Sequence, residues 1–177
     1  VIAFDMGGTT AKAGVITGFR PRIINEFYAN RFVNGVDMGG YPIRSAVVDL
    51  VEIGAGGGSV AWIDEGGALK VGPESAGAFP GPACYSRGGT RATITDAHAV
   101  IGSLSEESFQ GSGVLFAREK ALDVIEREVA RPMGWDVAKA AHAVVNIAIA
   151  NMIEMIRLAT VNRGLDPTKF SMIAFGG

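Results

Sequence analysis

Apolar residues open the chain over residues 1–4, give way to a glycine-containing turn, and resume over 11–17, a spacing that predicts a β-hairpin. A third strand is predicted over 23–32, where Ile23, Ile24, Phe27, Tyr28 and Phe32 supply β-favouring side chains. From Asn34 to about Ser103 no period is sustained. Short strand-like pieces at 46–53 and 60–63 stand among most of the chain's glycine and proline, which predicts a β-rich Gly/Pro insertion over 34–103. Near Ser112 the period changes, and Leu115, Leu122, Ile125 and Val129 recur among charges, predicting an amphipathic helix over 114–129. A longer helix is predicted over 137–162, with Asp136 as N-cap, Gly164 as C-cap and Pro167 beyond its end. Its apolar residues cover more than one face, as in a helix buried between a sheet and a neighbour. A last strand, 171–175, runs into Gly176-Gly177. The order β-β-β, insertion, α, α, β predicts a single α/β lobe over 1–177.

Composition narrows the partners. The chain has 177 residues, 48% of them hydrophobic, enough for a sizeable core. A formal net charge of −2 gives no electrostatic footprint for nucleic acid or an acidic membrane surface, so neither is expected as a partner. The single cysteine, Cys84, leaves no internal disulfide framework and no cysteine-built zinc site, which fits a reducing, cytoplasmic location. Asn146, Asn151, Glu154 and Arg157 interrupt the longest apolar helix, so it is expected to be too polar for a membrane span. Glu154 and Arg157, three apart, can pair on one face. The chain begins inside one apolar strand pattern and ends directly after another, so it is expected to be a piece of a longer polypeptide.

Candidate chemistry starts at Asp5-Met6-Gly7-Gly8-Thr9-Thr10. Two glycines after an apolar strand let backbone N–H groups approach a phosphate, and Thr9 and Thr10 add hydroxyl donors. Asp5 is the expected catalytic residue and metal contact, holding Mg²⁺ through water or orienting a nucleophile, while Lys12 offers a point charge to a phosphate. An ordinary type I′ or II′ hairpin with a solvated Asp5 is the alternative. The closing Gly176-Gly177 offers flat backbone to a base or ribose beyond a strand end. Gly54-Ala55-Gly56-Gly57-Gly58-Ser59 is either an anion cradle or a structural bend; it lacks the Lys-Ser/Thr ending of a Walker loop. A proline-stiffened loop presents Cys84, Tyr85 and Arg87. Cys84 with Asp96 and His98 reads either as a nucleophile or metal set, or as a small buried hydrophobe, a helix cap and a cap-region imidazole.

FDMGGTT, GAGGGSVAWID, GGALKVGPESAGAFPGPACYSRGGT, TITDAHAVIG and FSMIAFGG together resemble the hydantoinase/oxoprolinase A-type family, and the likeness runs over essentially the whole chain. Members are similar to actin and the sugar kinases, so the resemblance implies a ribonuclease-H-like lobe of an actin-like ATPase that binds ATP and Mg²⁺. It implies that 5–10, with Gly7, Gly8, Thr9, Thr10 and Lys12 as contacts, is the second phosphate loop, and that Gly176 and Gly177 open the adenosine loop. It further implies ATP-driven opening of a cyclic amide, a hydantoin or 5-oxoproline, beside a B-type hydantoinase subunit or domain. The alternatives it carries are a nucleotide-binding subunit of an ATP-dependent ketone carboxylase and a non-catalytic nucleotide-sensing or scaffold lobe. Many members have an acid where this chain has Lys12, which leaves the substrate open.

Overall fold

A computed structural model describes residues 1–29, 32–33, 36–37 and 39–176. Gly177, and Asn34 at the expected start of the insertion, lie outside the described residues. The chain divides into two compact units, the first comprising Val1–Asp5, Lys12–Glu52 and Met155–Phe175, the second Met6–Ala11 and Ile53–Glu154 together with Gly176. Strands and helices are mixed in an α/β arrangement.

The opening hairpin is made of β1 (Ile2–Met6) and β2 (Ala11–Thr17). Ala11, Ala13 and Val15 alternate to the buried side of β2, as a half-buried strand requires. β3 (Arg20–Pro21) pairs antiparallel with the end of β2. The predicted strand over 23–32 does not form in one piece. β4 (Ile23–Ile24), β5 (Phe27–Ala29) and β6 (Phe32–Val33) turn back through β7 (Val36–Asp37), β8 (Tyr41–Ile43) and β9 (Val47–Val48) to make a two-stranded arm. A two-stranded ribbon has no second layer on which to bury side chains. Ile23, Tyr28, Tyr41, Ile43 and Val48 are accordingly exposed. Pro42, which cannot donate to a ladder, is tolerated in such a ribbon. β10 (Leu50–Ile53) returns to the main sheet, whose order is β10-β2-β1 followed by the last strand, Met172–Gly176. Beside it the nearly buried Asp49 accepts from Arg163 at 2.7 and 2.9 Å and pairs with Arg22 at 3.3 Å.

The second unit holds the antiparallel hairpin of β11 (Ser59–Ile63) and β12 (Leu69–Ser75). Helix α1 (Ile94–Ile101) follows. Helix α2 (Arg118–Ile125) runs through a π-helical turn, Glu126–Ala130, into the short α3 (Arg131–Met133). The predicted start at 114 moves to Arg118, because Ala117 is still extended, and Leu115 is left exposed. The helix also continues past 129. Pro132 lacks an N–H and would crowd an α-helical carbonyl four residues back, and the wider turn opens just before it.

Helix α4 (Val137–Ala159) begins where the periodicity places it, with the Asp136 carboxylate accepting from the Lys139 N–H at 2.7 Å. A short 3₁₀ turn follows, and Gly164 closes it at φ 73°. The expectation that four polar residues make this helix too polar for a span is not met. By length and composition the segment Val137–Arg163 contains an 18-residue stretch apolar enough to cross a membrane, with a mean hydropathy of 1.5. What its residues do here is pack: Ala140, Ala141, Val144, Val145 and Ala148 join Ala61, Ile94, Val124, Ile125 and Val129 in the core of the second unit. Glu154 and Arg157 are exposed.

Candidate functional site

The hairpin turn is closed by the Gly7 N–H donating to the Thr10 carbonyl at 2.9 Å. Further along the ladder Val1 and Ile16 exchange both backbone bonds, at 2.8 and 2.9 Å. The two arms between these pairs are equally long, so Asp5 stands across from Lys12 in the register. Lys12 Nζ lies 3.4 Å from a Glu52 carboxylate oxygen on β10.

Gly8 does not have positive φ, so the turn is neither type I′ nor type II′. Nor does packing require glycine there. A Cβ on Gly8 would meet nothing within 4 Å, and one on Gly7 only the Thr10 carbonyl at 3.8 Å. Among the described residues the Gly8 and Thr9 N–H groups donate to no protein acceptor, and the Thr9 hydroxyl has no partner. The turn thus presents two consecutive unpaired N–H groups, with open space at Gly8 and the Gly56 backbone packed close to Thr9, an arrangement suited to an anion at the Gly8 end.

The triple glycine is bound to this turn by backbone alone. The Gly57 N–H donates to the Gly7 carbonyl at 3.0 Å and the Gly58 N–H to the Gly8 carbonyl at 2.6 Å. Here glycine is required by close approach. A Cβ on Gly56 would stand 2.5 Å from Thr9 N, one on Gly57 2.7 Å from Thr95 Oγ1, and one on Gly58 2.9 Å from the Gly8 carbonyl oxygen. The loop is pinned from behind as well: Thr95 donates to the Gly57 carbonyl through both N–H and hydroxyl at 2.8 Å. Ser59 Oγ accepts from the Gly56 N–H at 2.9 Å. The structure therefore places a segment open to two readings in one wall with the hairpin turn.

That wall belongs to a cavity of about 660 Å³ within the second unit. Met6, Gly7, Gly8, Thr9, Gly57 and Gly58 line one part, Gly77, Ala78, Pro82, Tyr85, Arg87 and Thr95 another, and Leu104, Ser108 and Phe109 the rest. Its size is that of small-molecule sites. Phe109 packs edge-on to Tyr85 at 5.5 Å between ring centroids and stacks on Phe116 at 4.9 Å, fixing the aromatic side. Burial pushes the Tyr85 phenol above its usual range, against the pull of nearby Thr95 and Arg87.

Of the expected site residues, Gly7, Gly8 and Thr9 line the cavity and Thr10 does not. Asp5 and Lys12 belong to the first unit. Gly176 ends the last strand at φ 97°. Cys84, Asp96 and His98 form no nucleophile set. The Asp96 carboxylate, fully buried, accepts from the N–H groups of Ala83, Cys84 and Thr93 and from the Thr93 hydroxyl, at 2.7–3.2 Å. Thr93, not Asp96, is the N-cap of α1; Asp96 is the third residue of a reciprocal capping box. Burial, followed by the Asp96 charge, pushes the Cys84 thiol far above its usual range, so it stays protonated and unreactive. Burial lowers His98. No cluster of three or more His, Cys, Asp or Glu able to hold a metal occurs among the described residues.

Among the cavity residues to which sequence reasoning gave no role are Thr95 and Phe109, and the triple glycine was left undecided between cradle and bend. Each takes its role from a partner distant in sequence, which spacing does not reveal.

Comparison with known proteins bears on the whole chain. A hydantoinase/oxoprolinase family profile matches residues 1–177. The chain is 43% identical over 183 residues to an uncharacterized protein of Methanocaldococcus jannaschii, covering 100% of this chain and 26% of the relative. It is 37% identical over 177 residues to caprolactamase subunit alpha of Pseudomonas jessenii, covering 100% of this chain and 24% of the relative. The crystal structure of that ATP-dependent caprolactamase superposes with a TM-score of 0.83 over 100% of this chain and 24% of the other. Nucleotide-free acetone carboxylase, from work on ATP-dependent acetone carboxylation, superposes at 0.84 with 29% identity, over 99% and 24% of the two chains. The chain thus spans about a quarter of the length of each of these relatives. On this full-length match, with the motifs and the fold agreeing, the chain belongs to the hydantoinase/oxoprolinase family.

Proposed function

We propose that this chain is the phosphate-binding part of an ATP-dependent enzyme that opens a cyclic amide, a hydantoin or 5-oxoproline. The observation that carries the reading is the Gly7–Thr10 turn. Its Gly8 and Thr9 N–H groups are unpaired, and a Cβ on Gly8 would fill empty space rather than strike protein. A phosphate oxygen fits that space, with the Thr9 hydroxyl as a further donor. Asp5 is the residue to hold Mg²⁺. A hydrated ion that takes one carboxylate and the phosphates of its nucleotide needs no protein cage, so the lack of an acidic cluster among the described residues is compatible with it. Bound at this turn, ATP would supply the phosphoryl group that makes an amide carbonyl electrophilic enough for water. The chain's own share is to position that phosphate through a rigid wall and keep the cavity shaped around it.

The wider reading is a ribonuclease-H-like lobe within a longer cytoplasmic protein, with 34–103 as its insertion, Thr10, Lys12, Gly176 and Gly177 as further nucleotide contacts and a B-type subunit or domain as partner. Relatives that are themselves named as subunits support the last point. A second reading, an ATP-dependent ketone carboxylase subunit, draws support from the acetone carboxylase superposition and from the 33% identity to acetophenone carboxylase gamma subunit of Aromatoleum aromaticum.

The test is nucleotide binding and turnover by the full-length protein with its partner subunit. Gly8→Ala is expected to weaken ATP binding by at least about tenfold, a cost of about 1.4 kcal/mol, while the melting temperature stays put. Asp5→Asn is expected to keep nucleotide binding and lose about 100-fold or more in turnover. Substrate-stimulated ADP release with hydantoins or 5-oxoproline separates the amidase from the carboxylase, which would need bicarbonate and a ketone. A wild-type protein that binds no ATP, or a Gly8→Ala variant that binds it normally, would end the proposal.

A further inference from the structure

Arg87 is the one charged side chain lining the cavity among the described residues, and it forms no hydrogen bond or ion pair with any of them. Every other described arginine of the second unit is engaged. Arg91 pairs with Glu74 and Glu128, Arg118 donates to the Ala99 and Val100 carbonyls, Arg127 pairs with Asp123, and Arg131 with Glu126.

The Arg87 backbone is held firmly. The 3₁₀ turn Ala83–Tyr85 just before it is tied to the buried Asp96 carboxylate through the Ala83 and Cys84 N–H groups. Arg87 itself sits between two left-handed residues, Ser86 at φ 56° and Gly88 at φ 94°. A non-glycine residue in that region is held there by its surroundings. Next to them, a Cβ on Gly89 would collide with the Gly81 carbonyl and with Pro82, so the loop is folded tightly back on itself. A guanidinium on so fixed a base, at the rim of a cavity lined by no carboxylate side chain among the described residues, is available to an anion from outside the chain.

We propose that Arg87 is the second anchor of the phosphate group held at the Gly8 and Thr9 N–H groups, supplying the positive charge that the glycine wall lacks. This rests on the phosphate reading of the Gly7–Thr10 turn. The planar fork of a guanidinium matches phosphate oxygens, and a charge-assisted bond is among the stronger polar contacts a site can offer.

The test is equilibrium binding of ATP, tripolyphosphate and adenosine to the full-length protein and its variants. Arg87→Gln is expected to weaken ATP and tripolyphosphate alike by at least about tenfold and leave adenosine unchanged. Arg87→Lys should recover part of the loss. Arg131→Gln, which removes a surface arginine paired with Glu126, should bind both phosphates as the wild type does. If Arg87→Gln binds both normally while Gly8→Ala loses them, the Arg87 inference falls and the turn reading stands. An Arg131→Gln loss as large as that of Arg87→Gln overturns it too, as a general charge effect. If the wild type binds tripolyphosphate but not ATP, the nucleotide reading falls and Arg87 is judged on tripolyphosphate alone; if it binds neither, both fall.

Discussion

Asp96→Ala is expected to destabilise the second unit by about 4 kcal/mol. The carboxylate has no exposed surface and serves four donors, the N–H groups of Ala83, Cys84 and Thr93 and the Thr93 hydroxyl. The hydroxyl can turn to another acceptor, but the N–H groups are fixed by backbone and would be left buried and unpaired. The carboxylate also lies in the first turn of α1, where a negative charge is favoured by the helix dipole. Asp96→Asn should recover part of the loss, since one oxygen still accepts while its amide nitrogen faces donors. Urea titration combined with hydrogen exchange over residues 81–101 is the appropriate measurement, because a longer protein unfolds in stages and the local opening is what changes. Unchanged exchange in Asp96→Ala would contradict the assignment of this residue as the anchor of the loop.

Gly56→Ala is expected to cut turnover by about 100-fold without removing a single polar side chain. Its added Cβ would meet Thr9 N at 2.5 Å, the Thr9 carbonyl carbon at 2.6 Å and the Gly7 carbonyl oxygen at 2.7 Å, all of them backbone atoms. No rotamer change relieves such a contact, so the triple-glycine loop or the hairpin turn must move, at a cost of about 1–3 kcal/mol. A displacement of about 1 Å at the phosphate-binding turn is enough for a loss of about 100-fold in turnover. Gly14→Ala is the control. Its Cβ would meet Leu50 Cδ2 at 2.7 Å, the far end of a side chain that can rotate away. ATP turnover by both full-length variants decides the matter, and equal activity would show that the contact between the two loops is not part of the site.

Much of this was legible in the chain. The alternation over 11–17 coincides with β2, and the period of the long helix finds the start of α4, because both signals are local and set by burial of one face. The family is legible too, from glycine- and proline-rich motifs spread along the whole length. The β-favouring run over 23–32 misled because propensity states what suits a strand, not which strand it joins; here the run folds back on 36–48 as an arm. Helix α2 starts late because the chain is still extended at Ala117, where hydrophobic spacing alone continues. The candidate site was half visible. Gly7, Gly8 and Thr9 stand in a recognisable turn, whereas the need for glycine at 56–58, the unpaired state of Arg87 and the four donors around Asp96 all depend on residues brought together only by folding.

The shell around Asp96 has one more consequence, a kinetic one. Its partners lie 3, 12 and 13 residues away along the chain. Closing those small loops costs little entropy, whereas the glycine wall must bring together stretches separated by the whole length of chain between Gly8 and Gly57. The base that carries Arg87 is therefore assembled from one contiguous segment, while the phosphate-holding wall depends on a long-range closure. Of the two halves of the cavity, the base that carries Arg87 is expected to form early in folding and the glycine wall late.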